Sequence, residues 1–146
     1  MQKWSDIKKE FEADGSLRDI YISPTNEAIW DEFIELIANS SYKTEFFHND
    51  KSISFPIAFS RIKELQFSNP TILHIWIGSK IQVNCHFFTE EEIELDISPL
   101  DVPDEQSYTM LQEFMFWLSS SLRLSVKLTH EGSPDMLICE VFNNGI

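Results

Sequence analysis

His86 stands four to six residues before Glu90, Glu91 and Glu92, and an imidazole among carboxylates is a donor set that suits zinc or iron. Such a site needs three or four ligands that converge on one ion. Consecutive glutamates in a turn fan outward instead, and Cys85 and His86, adjacent in a strand, project to opposite faces. The acidic residues also lack the alternating spacing and central glycine of a calcium loop. Nucleophilic chemistry finds no better footing. The chain has no G-x-S-x-G elbow, no phosphate-cradling glycine loop and no H-E-x-x-H helix. His130-Glu131-Gly132 falls at a turn, where a histidine is normally solvated. The sequence therefore nominates no catalytic residue, no metal ligand and no cofactor, and points away from an enzyme.

His74, Asn84 and His86 gain meaning from the hairpin that must carry them. Thr71 to Ile77 and Lys80 to Phe88 are strand-like runs around Gly78-Ser79. A two-residue Gly-Ser turn would pair Ile77 with Lys80. A three-residue loop of Gly78, Ser79 and Lys80 pairs Ile77 with Ile81, Ile75 with Val83 and Leu73 with Cys85. The second register gathers every aliphatic residue on one face. A slip by one residue would exchange faces and expose several side chains worth about 1.5–3 kcal/mol each, so the three-residue loop is expected. His74, Trp76, Gln82, Asn84, His86 and Phe88 then share the other face. Either that face binds something, with Trp76 and Phe88 as aromatic anchors, or a helix or the closing strands cover it and the histidines are ordinary hydrogen-bonded residues.

Charge is distributed unevenly. Ile81 to Leu122 contains no lysine or arginine but holds Glu90, Glu91, Glu92, Glu94, Asp96, Asp101, Asp104, Glu105 and Glu113. Residues 1–80 carry 12 acids and 9 bases, and residues 81–146 carry 12 acids and 2 bases, within a net charge of −13. Such a field repels nucleic acid and anionic lipid and steers basic proteins. It equally serves solubility, and Asp104 and Glu105 suit the start of a helix.

The remaining elements follow from periodicity. A first helix is expected over Ser5–Ala13, with Trp4, Ile7 and Phe11 at helical spacing and Gly15 as its stop. A short strand follows at Asp19–Ser23, with Tyr21 on the face opposite Ile20 and Ile22. Ser23-Pro24 or Thr25 opens a second helix whose core stripe is Trp30, Phe33, Ile34 and Ile37. Tyr42–His48 and Ser52–Phe55 form a hairpin over Asn49-Asp50. Pro56 starts a short helix through Leu65 that buries Ile57, Phe59, Ile62 and Leu65. Ile93–Ile97 is a strand, Glu105–Leu122 a long helix, and Ser125–Thr129 and Met136–Phe142 close the chain around Gly132–Asp135. The predicted architecture is a single α+β domain over residues 1–146. It has a mainly antiparallel sheet of six to eight short strands, with two long helices and one or two short ones packed on one face.

At 146 residues and 42% hydrophobic content, folding buries about 70% of the chain's surface and needs no staples. No run approaches a membrane span, and the N-terminus lacks the layout of a secretory signal. A cytoplasmic protein is therefore expected. Cys85 and Cys139 fall in strand-like runs, as small hydrophobes, or as one disulfide if those strands are neighbours.

Two stretches, VNCHFFTEEEIELDISP (Val83–Pro99) and LQEFMFWLSSSLRLSVKLTHE (Leu111–Glu131), resemble segments of small acidic uncharacterised bacterial proteins. Size, acidity and element order resemble immunity proteins that neutralise secreted toxins. The resemblance implies a protein-binding role against a basic toxin or another basic protein. The residues expected at that surface come from the uneven charge and the hairpin face, not from the resemblance: Trp76, Phe88, Glu90, Glu91, Glu92, Glu94, Asp96, Asp101, Asp104 and Glu105. The alternatives are a small enzyme or ligand-binding domain using His74, Asn84 and His86, and a homodimer joined through a sheet edge or aromatic face. No nucleic-acid or membrane partner is expected.

Overall fold

The structure is a computed structural model that describes residues 2–142. Eight antiparallel strands form one sheet, in the order β3-β2-β4-β5-β6-β1-β7-β8. The strands are β1 Arg18–Ile22, β2 Lys43–His48, β3 Lys51–Ile53, β4 Thr71–Ile77, β5 Ile81–Cys85, β6 Ile93–Ile97, β7 Val126–His130 and β8 Ser133–Val141. Four helices accompany them: α1 Trp4–Ile7, α2 Glu27–Ala38, α3 Phe59–Gln66 and α4 Glu105–Leu122. The expected α+β class and helix-covered antiparallel sheet are what the chain adopts.

The β4–β5 register pairs Ile77 with Ile81, Ile75 with Val83 and Leu73 with Cys85. Burial decides it as expected. Both strands alternate buried and half-buried residues, and the buried set faces the helices. Trp30, Phe33, Ile34 and Ile37 of α2 pack with Leu111, Phe114, Met115 and Leu118 of α4 in the same core. The apolar helix faces are thus all turned to one side of the sheet.

Several local expectations are corrected. The first helix is shorter, turning into a 3-10 helix over Lys8–Phe11, and Asn26, not Ser23 or Thr25, caps α2 by accepting from the Ile29 N–H. β3 stops at Ile53, and α3 begins at Phe59 without a capping side chain of its own. Asp31 on α2 supplies that function from a distance, accepting from the Phe59 N–H at 2.8 Å. Ile57 consequently lies outside the helix, 74% exposed rather than in the core. β8 begins at Ser133, so the turn is shorter than the Gly132–Asp135 expected. Cys85 and Cys139 are both buried free thiols. Three strands, β6, β1 and β7, separate β5 from β8, a gap of about 19 Å at ~4.8 Å per strand that no disulfide spans.

Candidate functional site

The face of the sheet that the helices leave uncovered is ordered into rows by strand register. Glu45, His74, Asn84, Asp96 and Asp19 are cross-strand neighbours in succession on β2, β4, β5, β6 and β1. One row over, Lys43, Trp76 and Gln82 lie side by side. On the other flank, Phe47 neighbours Ile72, and Glu94, Tyr21 and Lys127 follow one another across β6, β1 and β7. One side of this face is therefore aromatic and the centre is acidic.

Hydrogen bonds fix the centre. Gln82 donates to Asn84 at 2.8 Å, and Asn84 donates to Asp96 Oδ1 at 2.8 Å. His86 Nε2 meets the other Asp96 oxygen at 3.1 Å. Beside them, Asp19 Oδ2 accepts from the Tyr21 hydroxyl at 3.0 Å and from the Gly132 N–H at 2.8 Å. Burial raises the pKa of Asp19 above the usual carboxylate range, against the pull of those two donors. Burial likewise raises Glu94 and pushes the Tyr21 phenol well up. Burial is the largest cause of each shift, and neighbouring carboxylates add to it. Among the described residues, no lysine or arginine forms an ion pair with Asp19, Glu45, Glu94 or Asp96.

The aromatic flank is a connected strip. Phe47 lies 5.0 Å from His74, and His74 meets Trp76 edge-on at 5.5 Å. Lys43 Nζ sits 5.2 Å from the Trp76 ring, within cation–π range. Burial lowers the pKa of His74, favouring a neutral imidazole there.

The residues singled out from sequence separate into groups. Trp76, His74, Asn84, His86, Glu94 and Asp96 share the uncovered face. Phe88 stacks on His86 at 5.0 Å, at the end of the face away from Trp76. Gln82 on β5 and His86 just past its end are about 13 Å apart, so Trp76 and Phe88 are separate features. Glu90, Glu91 and Glu92 lie in the loop just beyond Phe88. That loop is pinned by its backbone: Trp30 Nε1 donates to the Thr89 carbonyl, Thr25 Oγ1 to the Glu90 carbonyl, and the Thr25 N–H to the Glu91 carbonyl. Asp101 sits at the opposite end of β6, accepting from the Gln82 N–H. Asp104 caps α4 in a reciprocal box with Ser107, whose donors hold its carboxyl below the usual range. Glu105 is in the first turn of that helix. The acidic run is thus a column crossing the sheet and continuing onto α4, not one edge.

Asp19, Tyr21, Glu45 and Phe47 belong to this face and did not emerge from sequence as site residues. The signal was present in the Asp19–Ser23 alternation, which puts Tyr21 opposite Ile20 and Ile22. Only strand order, which inserts β1 beside β6, brings Asp19 to Asp96. Among the described residues, no three His, Cys, Asp or Glu side chains are grouped to hold a metal ion, and no helix is long and apolar enough to cross a membrane. No family model, curated protein or solved structure matches the chain.

Proposed function

We propose that this domain binds a basic protein through the uncovered face of its sheet, without catalysing a reaction. The observation that carries the proposal is the acidic centre of this face. There half-buried Glu45 and Glu94 flank the buried, hydrogen-bonded Asp19 and Asp96, and Asp96 meets His86. No lysine or arginine pairs any of the four among the described residues. A partner that brings cations to this surface relieves repulsion that the free protein carries. Trp76, Phe47 and His74 flank the acids with apolar area on rigid strands, the composition of an interface hot spot. Glu90, Glu91 and Glu92, on a pinned loop at the rim, extend the field and steer the encounter. A toxin neutralised by coverage of its basic surface is one partner of this chemistry.

The test compares partner capture at low and high salt by the tagged wild-type chain and its variants. Glu91→Lys/Glu92→Lys/Glu94→Lys should slow association and flatten its salt dependence, whereas Trp76→Ala should speed dissociation. A control of equal charge change, Asp6→Lys/Glu12→Lys/Glu64→Lys, alters exposed positions among the helical segments and should do neither. Equal effects from the control and the first triple variant would show that net charge alone is responsible and remove the face from the proposal.

A second reading rests on β8. It is a nine-residue edge strand that leaves Met136 56% and Leu137 50% exposed, whereas the other edge, β3, has three residues and carries Lys51. Long apolar edges invite strand pairing, so a homodimer through β8 is the alternative. Sedimentation equilibrium distinguishes the two: a dimer mass that Leu137→Lys reduces to a monomer favours it.

A further inference from the structure

On the helix side, far from the sheet face, the C-terminal turns of α2 and α4 meet around a groove of ≈ 520 Å³, within the roughly 300–1,000 Å³ of small-ligand sites. Leu36 and Leu122 contribute apolar surface, Trp117 an indole, Ser121 a hydroxyl, and Glu32 and Glu35 two carboxylates. Three independent features give this groove one sign. No base lines it among the described residues, and Arg123, the exposed C-cap of α4, is not part of its wall. α2 has no basic residue in its last turn and is capped by Asn39, so the partial negative charge of its end reaches the groove, whereas Arg123 as C-cap offsets the end of α4. And among the described residues neither Glu32 nor Glu35 takes part in an ion pair. The indole is held in place, with Tyr42 edge-on at 5.2 Å and Phe114 at 6.0 Å.

We infer that this groove receives an arginine side chain from a partner polypeptide. A cation suits the two carboxylates and the end of α2, and an apolar stem suits Leu36 and Leu122. Arginine fits better than lysine because its planar guanidinium stacks on an indole face while its forked N–H groups reach carboxylates. The inference does not depend on the sheet-face proposal: the groove has its own residues on the other side of the molecule.

The test is a nuclear magnetic resonance titration of the ¹⁵N-labelled full chain with N-acetyl-arginine methylamide, following the Trp117 indole N–H. Trp117→Phe assigns the signal. The neutral isostere N-acetyl-citrulline methylamide is the control. Arginine should shift the Trp117 signal saturably, with a Kd on the order of 1–10 mM for a single residue. Citrulline should bind at least about tenfold more weakly, as expected where charge and cation–π attraction dominate. Glu32→Gln/Glu35→Gln, both at exposed positions, should weaken arginine at least about fivefold with the rest of the spectrum unchanged. An unmoved Trp117 signal, equal binding of citrulline, full affinity in the double variant, or a shift at Trp76 in place of Trp117 would each overturn the inference.

Discussion

Phe87 should reverse the usual order of glycine and alanine. It is fully buried, yet its φ is +61°, the left-handed region that costs a side chain with a Cβ about 1–2 kcal/mol. The ring explains why the position persists. It packs 5.3 Å from Trp30 and 6.1 Å from Phe46, and the reversed backbone aims the Phe87 carbonyl at Lys63 Nζ and Gln66 Nε2, at 3.1 and 3.3 Å. Removing a buried phenylalanine ring costs about 3–5 kcal/mol, which exceeds the backbone cost and fixes the residue. Phe87→Ala loses the ring but keeps the strain. Phe87→Gly loses the same ring and sheds the strain, against about 0.4–1 kcal/mol of extra unfolded-state entropy. The glycine variant should therefore be the more stable of the two by about 0.5–1 kcal/mol, where an ordinary strand position would favour alanine by a similar amount. Urea unfolding followed by tryptophan fluorescence measures this as a higher midpoint for glycine at an equal m-value. A midpoint for alanine that matches or exceeds that of glycine would mean that the left-handed backbone carries no cost, refuting the strain account.

Three further outcomes follow from named groups. Burial raises the Glu94 pKa, so the folded state holds its proton to higher pH than the unfolded chain does. Stability from this group is present at acid pH and is lost as pH rises through the raised folded value. Because Glu94 is partly solvated, Glu94→Gln should stabilise by no more than about 1 kcal/mol at pH 7, and the gain should vanish by pH 4 in paired urea titrations. Burial pushes the Cys139 thiol up to about 11 and the Cys85 thiol further. Neither should react with Ellman's reagent until the protein unfolds, and both should then react together. Gly78 has a φ of +62°, and a Cβ there would lie 2.6 Å from Met110 Cε. Gly78→Ala should therefore destabilise by about 1–2 kcal/mol, read as a lower thermal midpoint.

Much of the scaffold is written locally. The α4 boundaries, the Trp30-Phe33-Ile34-Ile37 stripe and the β4–β5 register follow from periodicity, because one-sided burial penalises every alternative by several side chains. Helix starts were less legible where the cap is remote or shared. Asp31 caps α3 from another helix, and no window around Pro56 contains that information. The candidate site divides the same way. Alternation put His74, Trp76, Asn84 and His86 on one face. The pairing of Asp19 with Asp96 joins residues 77 positions apart in the chain and is invisible to any local pattern.

The sequence by itself determined the element types, the aliphatic face of the central hairpin and the uneven charge, since each depends on residues within a few positions of one another. The tertiary structure alone decided that β1 enters the sheet between β6 and β7 and that the face with His74, Trp76, Asn84 and His86 stays free of helices, a point the sequence left open. It also decided that the acidic run crosses the sheet as a column, and that the ends of α2 and α4 meet around Trp117. The physical reason is that strand order and helix docking are settled by summed burial across the whole core. That sum depends on contacts between distant segments, which no single segment encodes.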